Sequence, residues 1–252
     1  MMLKCSYKYI SIAKIGNSVD ENEDSILVPS SSELEREPII KFAISDGATE
    51  SSFSKEWSNL LVSRYKDMSF DIANLPLTIN DISKIWQSKT SAIELPWYAQ
   101  QKLENGAFAT FLGITLNLVE QTFESVSIGD CTLFQVRNDE LIRSFPITSI
   151  EDFGNTPSLF ATNSKFQTDY EKSVKYLKGE AIRSGDLLIL ASDALAMWLF
   201  KRLSEGEKPW LILFILLKYE DYQTDFSNWI FNKIKDNEMK NDDISVILIN
   251  IE

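Results

Sequence analysis

The sequence predicts an α+β sandwich, two stacked sheets with helices outside. Three observations carry this. Short apolar or alternating runs recur along the whole chain, and helical patterns fall between groups of them. Two runs, Leu187–Ala191 and Val246–Ile249, are apolar at every position, as strands covered on both faces are.

Taken in order, Tyr9–Ile12, Ser25–Val28 and Ile39–Ile44 read as the first strands. The polar stretch from Pro29 to Pro38 reads as a turn between two of them. Phe53, Trp57, Leu60, Leu61 and Tyr65 then share one face of an amphipathic helix, with Ser51 or Ser52 as its cap. Residues 78–105 hold a second helical region, broken or ended near Pro96. Thr110–Leu118, Phe123–Ile128, Thr132–Arg137 and Glu140–Phe145 follow as strands. Glu120-Gln121 and Asn138-Asp139 lie between neighbouring runs as tight turns, which favours antiparallel meanders. Beyond the strand Leu187–Ala191, Asp193–Leu203 and Trp210–Lys218 read as unusually apolar helices. Phe226, Trp229, Ile230 and Ile234 mark a third amphipathic helix starting near Tyr222, and Ile244–Ile251 is the last strand. The tryptophans and the Trp97-Tyr98 pair read as core or interface anchors. No segment has the composition of a linker, so one domain is expected over residues 1–252.

Composition narrows the function. The chain has 252 residues, with 37 acidic against 25 basic ones and a net charge of −12. That argues against nucleic acid and anionic lipid, and suits cations or a basic partner. Histidine is absent, which removes Ser-His-Asp hydrolysis, thiol-histidine pairs and histidine-ligated zinc. Cys5 and Cys131 form no CxxC and read as small apolar residues in a reducing compartment. The N-terminal residues lack the apolar stretch of a signal peptide, and the apolar run Trp210–Leu217 falls far short of the roughly 20 residues of a membrane span. A cytoplasmic protein is expected.

The informative pattern is where acids meet strand ends. Asp24 precedes Ser25–Val28, Asp46 follows Phe42–Ser45, and Asp130 follows Val126–Gly129. Asp193 follows Leu187–Ser192, while Asp242 and Asp243 precede Ile244. Stacked strands would bring these carboxylates to one edge, where hard divalent cations such as Mg²⁺ or Mn²⁺ relieve their repulsion. Each acid also has a plainer reading: Asp20–Asp24 as a solvated turn, Asn241–Asp243 as a polar hairpin. Asp193 resists that reading, because apolar sequence surrounds it and a carboxylate there must be paired, metal-bound or neutralised. Gly47, after Asp46, lets the backbone turn sharply and bring its carbonyl near an ion.

The order Asn22-Glu23-Asp24-Ser25, Ala43–Gly47, Gly106–Thr110, Ser127–Cys131, Leu188–Leu195 and Asp242–Leu248 resembles the metal-dependent serine/threonine protein phosphatases of type 2C, the PPM family. The likeness covers nearly the whole chain. It implies a four-layer αββα sandwich, with a two-metal centre of Mn²⁺ or Mg²⁺ at one end. By that resemblance Asp46 bridges the two ions and Gly47 offers its carbonyl. Asp193 and Asp242 hold the first ion; Glu23 reaches the second through water, with Asp24 in support. Asp130 with Asp193 matches a third, weaker position, and Asp243 replaces the usual asparagine. The reaction implied is hydrolysis of phosphoserine or phosphothreonine in a protein substrate by a water bridging two ions, opposite a cognate kinase.

The chain departs from the family pattern in three places. Val19 stands where relatives carry a phosphate-holding arginine, and Ala48–Ser52 replaces a glycine-rich stretch. The histidine that some relatives use as proton donor is missing. Lys14, Lys55 and Arg202 are candidate replacements for the arginine. Two further readings stay open: a phosphatase-like regulatory domain with little turnover, and a hydrolase of small phosphoesters. Retention of the acids favours turnover, and loss of the arginine favours the regulatory domain.

Overall fold

The computed structural model describes residues 2–93, 97–154, 156–167, 169–218 and 221–252, with backbone alone at 97–99 and 101. In chain order the strands are β1 (Cys5–Ile12), β2 (Ser25–Leu27), β3 (Ile39–Ser45), β4 (Phe108–Ala109), β5 (Phe111–Asn117) and β6 (Thr122–Ile128). They continue as β7 (Thr132–Arg137), β8 (Glu140–Phe145), β9 (Phe160–Ala161), β10 (Lys175–Ala181), β11 (Leu187–Ala191) and β12 (Ile244–Ile251). The helices are α1 (Ser31–Arg36), α2 (Ser54–Asp67), α3 (Leu75–Thr90), α4 (Trp97–Asn105), α5 (Tyr170–Ser173), α6 (Asp193–Ser204), α7 (Pro209–Leu216) and α8 (Tyr222–Lys235).

Two five-stranded antiparallel sheets stack face to face. One runs β1-β12-β11-β7-β8, the other β10-β6-β5-β3-β2, and β4 pairs β9 alone. The period-two alternation of the strands feeds separate layers. In β11, Leu188 and Leu190 point between the sheets with Ile247 and Ile249 of β12 and Phe42 and Ile44 of β3. Leu187 and Ile189 point outward, under Leu195, Trp198 and Leu199 of α6, Leu213 of α7 and Phe226 of α8. Both parities are buried, which is why Leu187–Ala191 and Val246–Ile249 are apolar at every position. On the far side, Trp57, Leu61 and Tyr65 of α2 and Ile79 and Trp86 of α3 cover Ala43, Phe111 and Val126. The result is a four-layer αββα sandwich.

Several local expectations change. The stretch after Pro29 is not a plain turn: Ser31–Arg36 is helical, because Ser30 and Glu33 form a reciprocal capping box, with Ser30 N donating to Glu33 Oε2 at 2.7 Å. Neither Ser51 nor Ser52 caps α2, whose N-cap is Phe53 in the left-handed region at φ 54°. Ser51 Oγ donates to the Ala48 carbonyl instead. Strand β1 begins four residues before Tyr9, its alternating Ser6 and Lys8 being tolerated at a sheet edge. Strand β10 escapes sequence reading for the same reason: it is a mostly exposed edge strand with an irregular register between Leu177 and Glu180. The second helical region starts at Leu75, with proline in its first turn, and resumes as α4. Pro96 and the side chains of Trp97 and Tyr98 lie outside the described residues. The other tryptophans are anchors; Trp57 Nε1 donates to the Phe160 carbonyl and Trp198 meets Trp229 edge-on at 4.9 Å. Cys5 and Cys131 are both free thiols.

Candidate metal centre

Strand register gathers the acids. Ser25 pairs with Ser45, so Asp24 and Asp46 leave β2 and β3 side by side. Ala191 pairs with Val246 and Ser192 N donates to the Ser245 carbonyl, so Asp193 faces the Asp242-Asp243 turn across β11 and β12. Thr132 pairs with Ala191, which brings Asp130 to the same end. Asp46, Gly47, Asp130, Asp193 and Asp242 line one cleft of about 660 Å³, with Thr49, Thr110, Met197 and Lys240 in its walls.

Hydrogen bonds hold the Asp46 turn in place. Thr110 N donates to the Asp46 carbonyl at 2.8 Å, and Asp46 N donates back to Thr110 Oγ1 at 3.2 Å. Ser45 Oγ donates to the Thr110 carbonyl. The Gly106–Thr110 segment thus works as a clamp on the acid. At Gly47 a Cβ would stand 2.9 Å from both the Glu23 carbonyl and the Ser54 Cβ, so only glycine lets these segments close up. Gly129 has φ +93° and would drive a Cβ into Thr110.

The remaining acids divide by role. Glu23 sits behind the cleft, where its Oε1 accepts from Ser54 Oγ and its Oε2 lies 3.8 Å from Lys14 Nζ. Asp243 is buried and structural: its two oxygens accept the backbone N–H of Lys14 and of Glu23, each at 2.8 Å. Asp242 instead faces the cleft. Asp24 is buried, and neither of its oxygens has a hydrogen-bond partner among the described residues; the nearby Ser245 hydroxyl donates to Ser11.

Electrostatics follows from the crowding. Burial first, then the charges of Asp24, Asp193, Asp130 and Asp242, hold the Asp46 carboxyl well above the usual range. Burial, only partly offset by Ser245 and reinforced by Asp243, pushes Asp24 up to about 8. Asp130 rises to about 6 through burial and Asp193. Burial also raises Asp193, against the opposing pull of Lys240.

The donor chemistry fits a hard divalent cation: oxygens only, acids that destabilise one another, and a buried carboxylate without a donor. Among the described residues, however, no three acids or thiols already stand as a finished ligand set. Two of them are engaged by a cation that sequence reading missed. Lys240 Nζ lies 2.6 Å from Asp242 Oδ2 and 3.2 Å from Asp193 Oδ2. The lysine is visible beside Asn241-Asp242-Asp243, but only register reveals that Asp193 lies beside it.

Millimolar Mn²⁺, binding the folded form alone, should raise the melting temperature, whereas an unchanged curve across the titration would contradict the fit. Metal-free protein should respond to pH in a definite sense. Asp24 keeps its proton when folded up to about 8, whereas its ordinary value is 3.8. The folded state therefore binds the extra proton, and this group's contribution to stability falls as pH rises through that window. Chemical denaturation at pH 6 and pH 8 checks the sign, and Mn²⁺ should shrink the difference.

Val19 is 81% exposed, in a 3-10 turn over Val19–Glu21, and does not line the cleft. Of the three candidate cations, Lys55 Nζ donates to the Asp20 carbonyl at 2.9 Å, and Lys14 Nζ donates to Thr49 Oγ1 at 3.2 Å. Arg202 is occupied on α6 by Glu205, Glu207 and Glu238.

Solved structures share this architecture. The catalytic domain of the serine threonine protein phosphatase PstP in complex with 2 manganese ions matches with a TM-score of 0.60 at 14% identity, over 99% of each chain. The PPM Ser-Thr phosphatase MsPP from Mycobacterium smegmatis, in complex with cacodylate, matches with a TM-score of 0.57 at 12% identity, over 97% of each. The fold is that of the PPM phosphatases. A third neighbour is PppA, described as a key regulatory component of T6SS in Pseudomonas aeruginosa; it matches with a TM-score of 0.56 at 13% identity, over 100% of this chain and 99% of that one. No family model matches the sequence, and no curated protein does. Among the described residues no helix is long and apolar enough to cross a membrane.

Proposed function

We propose that the chain is a metal-dependent phosphatase that hydrolyses phosphoserine and phosphothreonine in protein substrates, as one domain over residues 1–252. The observation that carries this reading is the convergence of Asp46, Asp130, Asp193 and Asp242 on one cleft of the PPM fold. Asp46, Asp193 and Asp242 would hold one Mn²⁺ or Mg²⁺ ion. Asp46 and the Gly47 carbonyl would hold a second, which Glu23 would reach through water with Asp24 in support, and Asp130 with Asp193 would serve a third. Bound there, the ions supply the Lewis acid that activates water and offsets phosphate charge. Asp46 and Asp193, the residues assigned the catalytic role, would offset the charge of the ions and position them. The Thr110 bonds hold the Asp46 backbone, and with it the root of the carboxylate, in place.

Phosphate release from a phosphothreonine peptide with Mn²⁺, compared with EDTA, tests the reading. Release that needs the metal supports it; none under either condition contradicts it. A second reading, a phosphatase-like regulatory domain, is favoured by the exposed Val19 in place of an arginine. Val19→Arg separates the two cases. Exposure predicts an unchanged melting temperature, and a guanidinium whose long stem reaches the cleft from this position outside its lining should lower KM for an aryl phosphate several-fold. A stable variant with unchanged KM shows that this position does not face the phosphate. A cytoplasmic location and a cognate kinase complete the proposal.

A further inference from the structure

We propose that Lys240 is a displaceable internal counter-ion of the acid cluster. Without a divalent ion its ammonium joins Asp193 to Asp242; displaced by one, it turns to the phosphate in the cleft. The second half rests on the phosphatase reading, and the first does not.

The geometry carries the first half. Asp193 opens α6 and Asp242 precedes β12, so the ammonium adds an ionic tie between two elements whose nearest other bridge is Ser245 N donating to Ser192 Oγ at 2.9 Å. It takes the carboxylate oxygens that a hard cation would use. Its backbone is anchored one residue on: Asn241 Oδ1 accepts from Ile15 N at 2.8 Å, and Asn241 Nδ2 donates to the Ile15 carbonyl at 3.2 Å. Only the flexible four-carbon stem has to move. The Lys240 side chain is 56% exposed, against 13% for Asp193 and 25% for Asp242, so the ammonium can leave without unpacking anything. Pairs with one exposed partner are weak, which lets a divalent ion win. A tethered competitor is nevertheless always present, and it raises the ion concentration needed.

The surrounding charges carry the second half. Among the described residues lining the cleft, Lys240 is the one cation. Lys14 is drawn to Glu23 and Thr49, Lys55 to backbone carbonyls, and Arg202 to three glutamates. Among the described residues, Lys240 is therefore the ammonium that a phosphate dianion meets on the cleft lining itself, with Lys14 next to it behind Thr49.

Calorimetric titration of Mn²⁺ into wild type, Lys240→Met and Lys240→Gln tests the first half. Both variants should bind Mn²⁺ roughly tenfold more tightly. Melting curves confirm that both fold; metal-free, both should melt lower than wild type, because an acid pair has lost its cation. Unchanged or weaker Mn²⁺ binding in both variants, or no Mn²⁺ binding by any of the three proteins, overturns the proposal. Titration of inorganic phosphate into the Mn²⁺-loaded proteins tests the second half, with about tenfold weaker binding expected in the variants. Tighter Mn²⁺ binding with unchanged phosphate affinity overturns that half. If wild type releases no phosphate from peptides while the variants gain Mn²⁺ affinity, the phosphatase reading falls and the counter-ion stands. If wild type is active and the variants keep its Mn²⁺ affinity, the counter-ion falls and the phosphatase stands.

Discussion

Asp46→Asn should cut Mn²⁺-dependent phosphate release by a factor of about 10³ or more, the upper end of what one preorganised electrostatic group supplies. The residue is half-buried in the lining of the cleft, close to the charges of four other acids, and asparagine cannot offer the charge that two ions would share. The fold should survive. The Thr110 bonds to this residue use the Asp46 backbone, not its carboxylate. Replacing a carboxylate that its neighbours repel should leave the metal-free variant melting no lower than wild type. Its Mn²⁺-induced rise in melting temperature should be much smaller. Near-wild-type, EDTA-sensitive turnover in folded Asp46→Asn would remove the two-ion assignment.

Asp186→Ala should cause the largest loss of stability, about 3–5 kcal/mol, because it breaks a buried ion pair and leaves its partner charged. Asp186 precedes β11 and is buried; its oxygens accept from Arg137 Nε at 2.6 Å, Arg137 Nη2 at 2.7 Å and Gln135 Nε2 at 2.9 Å. The Arg183 N–H adds a fourth donor at 3.0 Å. Burial alone would raise this carboxyl, but the Arg137 and Gln135 contacts hold it below its ordinary value. At about 2–4 °C per kcal/mol for a chain of this size, the melting temperature should fall by roughly 10 °C. Asp186→Asn, which keeps some acceptor capacity, should lose less. A melting point within about 2 °C of wild type for Asp186→Ala would show that the network contributes little.

The sheets were legible because their signal is local. Leu187–Ala191 and Ile244–Ile251 are apolar at both parities, which only a strand between two covered faces requires. Strand β10 was not legible, since an exposed edge with Lys175, Lys178 and Glu180 has no apolar stripe to read. The helix after Ser30 carries a capping-box signal that is visible in Ser30-x-x-Glu33 but is outweighed by its flanking prolines. Among the site residues, each acid could be placed at a strand end from its neighbours alone. Their convergence could not, because it depends on pairings such as Ser25 with Ser45 and Ala191 with Val246. Lys240 shows the limit most clearly. Its partners are Asp242, two positions away, and Asp193, which only the β11–β12 ladder brings near.

Diffraction from crystals grown with Mn²⁺, using the anomalous signal of the metal, is the decisive test of the two-ion centre. Two strong peaks are expected in the cleft on either side of the Asp46 carboxylate, one beside Asp193 and Asp242 and the other toward Gly47 and Glu23. Lys240 should have withdrawn its ammonium from the Asp193–Asp242 pair. Peaks confined to other surface acids, or no peak with Lys240 still between those two carboxylates, would contradict the assignment.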